Sequence, residues 1–180
     1  APARSPQMAL FGEGSRPEAF VPLPDGRRIP VDFKGAGGSS TVQIIDQRSG
    51  GVANGVKNET YQAAKSAGLQ TGYIQAYPDL ESALDYVMQT YMPSQLIVWG
   101  SSYSSSLALI LASEHPDEIS AVLAFSPGEY FKLDGKHVAD YAANITRPAF
   151  ITSAKSEEKS WRGIADQIKS SGSVFFVPEG

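Results

Sequence analysis

The sequence predicts an α/β protein with a mostly parallel sheet, helices on both faces of that sheet and a hairpin at its N-terminal edge. From residue 96 onward, short apolar strands alternate with helical segments. The run 119–125 is apolar at nearly every position instead of every second one, which is typical of a strand buried on both faces. Alternation of such strands with helices indicates parallel crossovers.

Composition sets limits on the class of protein. A length of 180 residues fits one domain, and 42% apolar residues suffice for a core. Fifteen Lys and Arg against nineteen Asp and Glu give a net charge of −4, so nucleic acid and anionic membranes are not expected partners. The absence of cysteine excludes disulfides and thiol catalysis, and two histidines make a multi-histidine metal site improbable. No apolar run approaches the roughly 20 residues of a membrane-spanning helix.

The chain divides into an irregular lead-in, residues 1–18, and a single domain, residues 19–180. The lead-in is polar and contains several prolines and glycines. It begins with Ala1-Pro2-Ala3, and small residues of this kind remain after cleavage of a signal peptide. The same start fits a trimmed chain. Export to the periplasm or medium and a cytoplasmic location therefore both stay open.

The first part of the domain is predicted to hold a hairpin and one further strand. Residues 19–33 contain two short apolar runs around Asp25-Gly26, a strong turn signal, while prolines restrict both strands to an edge position. The β-branched run 41–45 predicts another strand. The seven residues 34–40 between them are too few for a parallel crossover, which needs a dozen or more. Either the two strands pair antiparallel, or a segment of the chain is absent near 34–41.

Hydrophobic spacing and turn residues predict the remaining elements. Gly68, Pro93 and Pro116 end three helices, and Asp79 is expected to cap one of them. The predicted helices span 59–67, 79–91, 102–115 and 157–170, and the predicted strands span 96–99, 119–125, 148–152 and 173–177. Residues 126–147 are expected to form a mixed loop.

The most specific pattern is Gly100-x-Ser102-x-Ser104, which stands between a buried strand and a buried helix. Small residues on either side of a serine permit the sharp turn that presents its hydroxyl at the carboxyl edge of a sheet. The amide of Tyr103 would then point toward the oxyanion that forms during acyl transfer. The alternative is a serine-rich helix start in which the hydroxyls only cap the helix.

Four segments resemble the α/β-hydrolases of the dienelactone-hydrolase-like group: 46–51, 76–81, the Ser102 pattern and 124–131. The resemblance covers roughly residues 19–180. It implies a serine hydrolase that acts on a small-molecule ester or related acyl substrate, with no metal or organic cofactor. It also implies the chain order serine, acid, histidine. A hydrolase-fold protein without catalysis that binds a ligand or partner is the alternative, and the sequence carries no signal of oligomeric state.

The resemblance places the catalytic acid after the strand 148–152, where Glu157 is the favoured residue and Glu158 stands next to it. Two glutamates in the first turn of a helix also complement its dipole, so their presence has a purely structural explanation. Glu129, which follows the preceding strand, is the other candidate. The resemblance further implies that the segment absent near 34–41 is an oxyanion strand and helix, and that Ala36, in the remaining glycine-rich loop, joins Tyr103 as an oxyanion residue.

No histidine follows Glu157 in the sequence. His115 stands at a helix end and His137 precedes the acid, so neither is expected to be the base. The resemblance places the base in a loop soon after the last strand, and the chain as given is therefore expected to be catalytically incomplete. Tyrosines near the predicted site could line an aromatic pocket, or they could only pack with their hydroxyls in water: Tyr73, Tyr77, Tyr103 and Tyr130.

Overall fold

The computed structural model describes residues 18–22, 28–32, 42–53 and 56–179. Its centre is a four-stranded parallel sheet in which the strand order follows the chain, β5-β6-β7-β8. These strands are β5 (Ile97–Ser101), β6 (Ala121–Phe125), β7 (Ala149–Thr152) and β8 (Val174–Phe176). All four coincide with predicted strands to within two residues at either end, so the predicted α/β class with a parallel sheet is confirmed.

Five α-helices lie in the described part of the chain, and the four predicted ones are among them. They are α1 (Glu59–Ser66), α2 (Tyr77–Tyr91), α3 (Tyr103–Glu114), α4 (Val138–Ala142) and α5 (Glu158–Ala165), with single 3-10 turns at Ile74–Ala76 and Lys155–Glu157. The helix α4 stands inside the segment that was expected to be a loop. Helix α5 ends earlier than predicted, at Ala165 instead of residue 170.

The predicted N-terminal hairpin is present. Strands β1 (Glu18–Pro22) and β2 (Arg28–Asp32) pair antiparallel, with Phe20 opposite Pro30. They form a two-stranded sheet of their own instead of an edge of the parallel sheet. A second short pair, β3 (Val52–Ala53) and β4 (Val56–Lys57), follows.

The prediction of a strand over 41–45 is wrong for residues 42–45, which the structure describes and which form no strand. Ile44 is largely exposed there. Strand propensity reflects packing on a pleated surface more than a preference of the backbone itself, so β-branched residues without a strand partner do not make a strand. The predicted discontinuity near 34–41, and Ala36 with it, lies outside the described residues.

One hydrophobic core lies between the sheet and a layer of helices. Helix α3 packs on β5 and β6, and it contacts α4, which in turn contacts α5. The sheet contributes the side chains of one face, among them Val122, Ala124 and Ile151, and α5 contributes Trp161, which is fully buried. Crossovers between parallel strands are right-handed, and the strand order here runs in one direction from β5 to β8. Because both hold, successive crossover helices lie on the same face of the sheet.

The opposite face of the sheet is also apolar but remains open among the described residues. Ile97 is 57% exposed and Trp99 is 59% exposed, and the rings of Trp99, Phe125 and Phe150 form a row at centroid distances of 5.8 and 6.0 Å. The described structure thus shows helices on one face only, whereas both faces were expected to be covered. The sequence pattern indicates that both faces of the sheet carry apolar side chains, but it does not indicate which segments cover them.

The turn from β5 into α3 brings two stretches of backbone unusually close together. A Cβ on Gly100 would stand 2.5 Å from the carbonyl carbon of Ser104 and 2.6 Å from the amide nitrogen of Ser105. Real Cβ atoms do not approach backbone so closely, so residue 100 must be glycine. Ser102, between strand and helix, has φ 57° and ψ −134°, a conformation that costs a non-glycine residue roughly 1–3 kcal/mol.

We expect Ile151→Thr to lower the free energy of unfolding by about 2–4 kcal/mol, because it removes apolar volume and buries a hydroxyl in the core. Ile97→Thr makes the same chemical change on the open face and should cost less than about 1 kcal/mol. Urea denaturation of the 180-residue chain measures both. Equal losses would show that both faces are packed.

Gly100→Ala should lower the free energy of unfolding by several kcal/mol, about 2–4, because the added methyl group meets backbone atoms that cannot move aside. Gly163→Ala is the matched control. A Cβ at Gly163, inside α5, meets nothing within 4 Å, so this change should stabilise the chain by up to about 1 kcal/mol. A harmless Gly100→Ala in the same denaturation experiment would contradict the close approach.

Candidate active site

Ser102 occupies the predicted sharp turn at the carboxyl edge of the sheet. It is exposed, and its amide donates a hydrogen bond of 2.8 Å to the carbonyl oxygen of Phe125 on the neighbouring strand. Its own carbonyl accepts from the amide of Ser105, which begins the helical hydrogen-bond pattern. The amide of Tyr103 is the first of α3, and the first amides of a helix have no acceptor within it.

The other serines of this stretch have separate structural roles. The hydroxyl of Ser106 is buried, donates to the carbonyl of Gly128 at 2.7 Å and accepts from its amide at 3.0 Å. This pair of bonds fastens the loop after β6 to α3. Ser104 accepts a hydrogen bond from the side-chain amide of Gln47 at 3.2 Å. Among these serines, Ser102 is distinguished by its backbone conformation and its position at the turn.

A second serine with positive φ follows the next strand. Ser126 has φ 54°, and its amide donates to the carbonyl of Thr152 at 2.7 Å. Its hydroxyl donates to Oε2 of Glu157, also at 2.7 Å. The carboxyl ends of β5, β6 and β7 thus carry Ser102, Ser126 and Glu157 in that order. Ser126 was not singled out from the sequence, because nothing local marks a Ser-Pro pair after a strand as the partner of a distant glutamate.

The two alternative acids are engaged elsewhere. Glu129 accepts hydrogen bonds from the amides of Val138 and Ala139, at 2.7 and 2.8 Å, and so caps the N-terminus of α4. Glu158 pairs with Arg162 one turn along α5. Both arrangements are ordinary ways to stabilise a helix. Of the three glutamates, Glu157 contacts the strand-end serine, whereas the other two serve helices.

Among the described contacts, neither histidine forms a hydrogen bond or ion pair with Ser102. His115 is the C-cap of α3 and stands 3.9 Å from Glu118, about 18 Å from the start of this 12-residue helix at 1.5 Å per residue. His137 precedes α4, with Nδ1 3.5 Å from Glu129. The structure therefore places both histidines in surface contacts, as their sequence positions indicated.

The segment 46–51 is bound to α2 through Arg48 and to the N-terminus of α1 through Asn58. Arg48 forms a two-pronged ion pair with Asp79, and its amide donates to the same carboxylate at 2.9 Å. The hydrogen bond to Asp79 raises the pKa of Arg48 above its usual value. Asn58 donates to the carbonyls of Gln47 and Ser49, at 2.7 and 3.1 Å. Asp79 had been predicted as a helix cap, but α2 begins two residues earlier and Asp79 binds Arg48 instead.

Three of the four tyrosines that were expected near the site form one aromatic group, which includes Tyr103, the residue after Ser102. The rings of Tyr73 and Tyr103 stack at a centroid distance of 4.3 Å with an interplanar angle of 13°, and Tyr130 meets Tyr73 edge-on at 6.4 Å and 78°. Tyr77 is not part of this group. It is buried and donates to Glu114, and this burial, together with that hydrogen bond, raises its pKa far above the usual value.

A surface cavity of about 540 Å³, lined in part by Arg48, opens between α2 and the end of α3. Its lining includes Tyr77, Glu81 and Glu114 but none of the strand-end residues Ser102, Ser126 and Glu157. The candidate chemistry therefore lies on the open carboxyl edge of the sheet. Among the described residues there is no group of acidic or histidine side chains that could hold a metal ion. The described helices also include none with the length and hydropathy of a membrane span.

No family model and no curated protein matches this chain. Several solved structures do. An esterase of Pyrococcus furiosus aligns with 61% of this chain and 56% of its own, at 16% identity and a TM-score of 0.50. A second structure comes from work on two metagenome-derived lipolytic enzymes, LipS and LipT. It aligns with 61% of this chain and 64% of its own, at 11% identity and a TM-score of 0.50.

Est1E from Butyrivibrio proteoclasticus aligns with 59% of this chain at 16% identity and a TM-score of 0.48. The chain spans 61% of the length of that structure. At identities this low, the two matches with a TM-score of 0.50 support a shared fold and not a shared reaction. The parallel sheet, the sharp turn at its edge and these structural matches together show that the chain has the α/β-hydrolase fold.

Proposed function

We propose that this chain is the nucleophile-bearing part of a serine hydrolase that acts on carboxylic esters or related acyl compounds. The observation that carries the proposal is the conformation of Ser102. A serine with φ 57° and ψ −134° between a parallel strand and a helix is strained and exposed at the point where substrate would approach. Strain of this kind persists where the surrounding structure imposes it, and it concentrates at functional sites.

Glu157 is the proposed acid. It stands after β7, two strands from the nucleophile, and its carboxylate is held by the hydroxyl of Ser126 at 2.7 Å. The capping role of Glu129 and the ion pair of Glu158 supply a structural explanation for those two residues, and Glu157 has no comparable role in the described contacts. An acid in a triad orients the base and stabilises its protonated form.

The proposed base is a histidine from a segment after β8. Strand β8 pairs parallel with β7, and Phe176 is the register partner of Thr152. Chain that continues from Phe176 therefore leaves the sheet at the same edge as Ser102, Ser126 and Glu157. A loop at this place would bring an imidazole to both the serine hydroxyl and the carboxylate.

In the proposed reaction the base takes the proton of Ser102 as its oxygen attacks the acyl carbonyl. The carbonyl oxygen becomes an oxyanion, which accepts a hydrogen bond from the amide of Tyr103, with Ala36 proposed as the second donor. The protonated base then gives its proton to the departing alcohol. Water, activated by the same base, releases the acid from the acyl-enzyme and restores Ser102.

A non-catalytic binding protein is the competing function. The observation that favours it is the pairing of the two histidines in the described structure: His115 pairs with Glu118 and His137 with Glu129, and neither pairs with Glu157. In that case Ser102 would keep its conformation but would never acquire a base. Covalent labelling separates the two possibilities.

The 180-residue chain should react slowly with a serine-directed phosphonate, and millimolar imidazole should accelerate the reaction by supplying the missing base. A positioned general base contributes about 10²–10⁴-fold, so a chain that carries the segment proposed to follow β8 should react faster still. Intact-protein mass spectrometry measures the attached group.

Ser102→Ala should abolish this labelling, whereas Ser101→Ala and Ser104→Ala should leave most of it. Imidazole-dependent labelling that persists in Ser102→Ala would assign the reaction to another residue. A complete lack of labelling in the extended chain would support the binding protein instead.

Glu157→Gln should slow labelling of the extended chain at least tenfold, because the base loses the charge that orients it. The matched control is Glu129→Gln, which should leave the labelling rate nearly unchanged but lower the free energy of unfolding by about 1 kcal/mol, since it weakens the cap of α4. The reverse result, a harmless Glu157→Gln and a severe Glu129→Gln in the labelling assay, would move the acid to Glu129.

A further inference from the structure

Three tyrosine side chains form an aromatic corner next to the candidate nucleophile. Tyr103 directly follows Ser102, Tyr73 stacks on its ring at 4.3 Å, and Tyr130 closes the corner at 78° to Tyr73. The three residues come from different parts of the chain, namely the start of α3, the segment before α2 and the loop after β6. The arrangement is therefore a product of the fold and not of a local sequence pattern.

Two hydroxyl groups of the aromatic corner, those of Tyr103 and Tyr130, donate to backbone carbonyls. Tyr103 donates to the carbonyl of Ser49 at 3.4 Å, and Tyr130 donates to the carbonyl of Ser126 at 3.0 Å. Ser126 is the residue that binds Glu157, so Tyr130 is tied to the same strand end as the proposed acid. Rings that are fixed at their hydroxyl ends lose little freedom when a ligand binds.

The rings remain accessible despite these anchors. Tyr73 is 48% exposed and Tyr130 is 44% exposed. Tyr103 stacks on Tyr73 and Tyr130 meets it edge to face, so the exposed parts of the Tyr73 and Tyr130 rings differ in orientation by 78°. Stacked and edge-to-face contacts are both favoured between aromatic groups, and a further ring that packs on these exposed parts would extend the cluster.

The charges near the aromatic corner disfavour an anionic ligand. Glu157 accepts from the hydroxyl of Ser126, and the carbonyl of Ser126 accepts from Tyr130. Glu129, adjacent in sequence to Tyr130, accepts from the amides at the N-terminus of α4. The ligand that fits this environment is uncharged and carries a planar aromatic ring.

We propose that the aromatic corner binds the aryl group of a neutral aromatic ester and holds the ester beside Ser102. This inference rests on the proposed function and specifies its substrate class. It predicts a preference for aromatic over saturated rings that ordinary hydrophobic burial does not produce, because a cyclohexyl ring is at least as apolar as a phenyl ring.

The test uses the Ser102→Ala form of the 180-residue chain, so that no ligand is turned over. Methyl benzoate and methyl cyclohexanecarboxylate, which differ only in ring saturation, are titrated and followed by nuclear magnetic resonance. Methyl benzoate should bind about three- to tenfold more tightly, as expected from the specific part of aromatic pairing. Tyr73→Leu should remove this preference and Tyr73→Phe should retain it.

Tyr86→Leu is the control, because Tyr86 and Tyr91 form another exposed edge-to-face pair, at 6.2 Å and 72°, on the last turns of α2. It should leave the preference unchanged. Should Tyr73→Leu fail to fold, Tyr130→Leu must remove the preference instead. Equal binding of the two esters, or a preference that survives in both leucine variants, overturns the inference.

Labelling of Ser102 in the unsubstituted chain tests the hydrolase proposal separately from the aryl-binding proposal. Positive labelling without an aryl preference would overturn the aromatic corner as a subsite and leave the hydrolase proposal standing. An aryl preference without any labelling, even with imidazole or with the extended chain, would uphold the aromatic corner as a binding site and remove the hydrolase proposal.

Discussion

The close approach of β5 to the first turn of α3 is the constraint on which the rest of this structure depends. Gly100 lets the backbone of Ser104 and Ser105 come within the space that a side chain would occupy. This contact permits the chain to reverse within a few residues, and the reversal places α3 directly on β5 and β6. The buried face of α3 then supplies much of the core, including Leu107, Leu109 and Ile110. The same reversal leaves Ser102 between the last residue of β5 and the first residue of α3, exposed and with positive φ.

The neighbouring strand end repeats this behaviour in a weaker form. Ser126 also has positive φ, and its amide binds the end of β7 just as the amide of Ser102 binds the end of β6. Each strand end thus holds the next, and the strand-end serines and Glu157 form one connected line along the carboxyl edge. In parallel sheets this edge is where ligands bind, because loops and helix N-termini converge there. The hydrogen bonds from Ser102 to Phe125, from Ser126 to Thr152 and from Ser126 to Glu157 hold the candidate residues along this one edge.

The three glutamates show how far residue type alone can be interpreted. Glu129, Glu157 and Glu158 all follow strands and are all compatible with a catalytic acid on sequence grounds. Their partners separate them: two backbone amides for Glu129, Arg162 for Glu158 and the hydroxyl of Ser126 for Glu157. Arg162 lies one helical turn from Glu158, whereas Ser126 lies 31 residues from Glu157. The Ser126–Glu157 contact therefore forms only when β6 and β7 are side by side.

The sequence by itself determined the order of strands and helices after residue 96 and the sharp turn at Ser102, because both follow from local hydrophobic spacing and from small residues at fixed positions. It also indicated that His115 and His137 stand away from the site. Only the tertiary structure decided that 42–45 form no strand, that the described helices cover one face of the sheet, and that Asp79 binds Arg48 instead of capping α2. Those outcomes depend on contacts between segments distant in the chain, such as the 31 residues between Arg48 and Asp79, and no local pattern encodes such contacts.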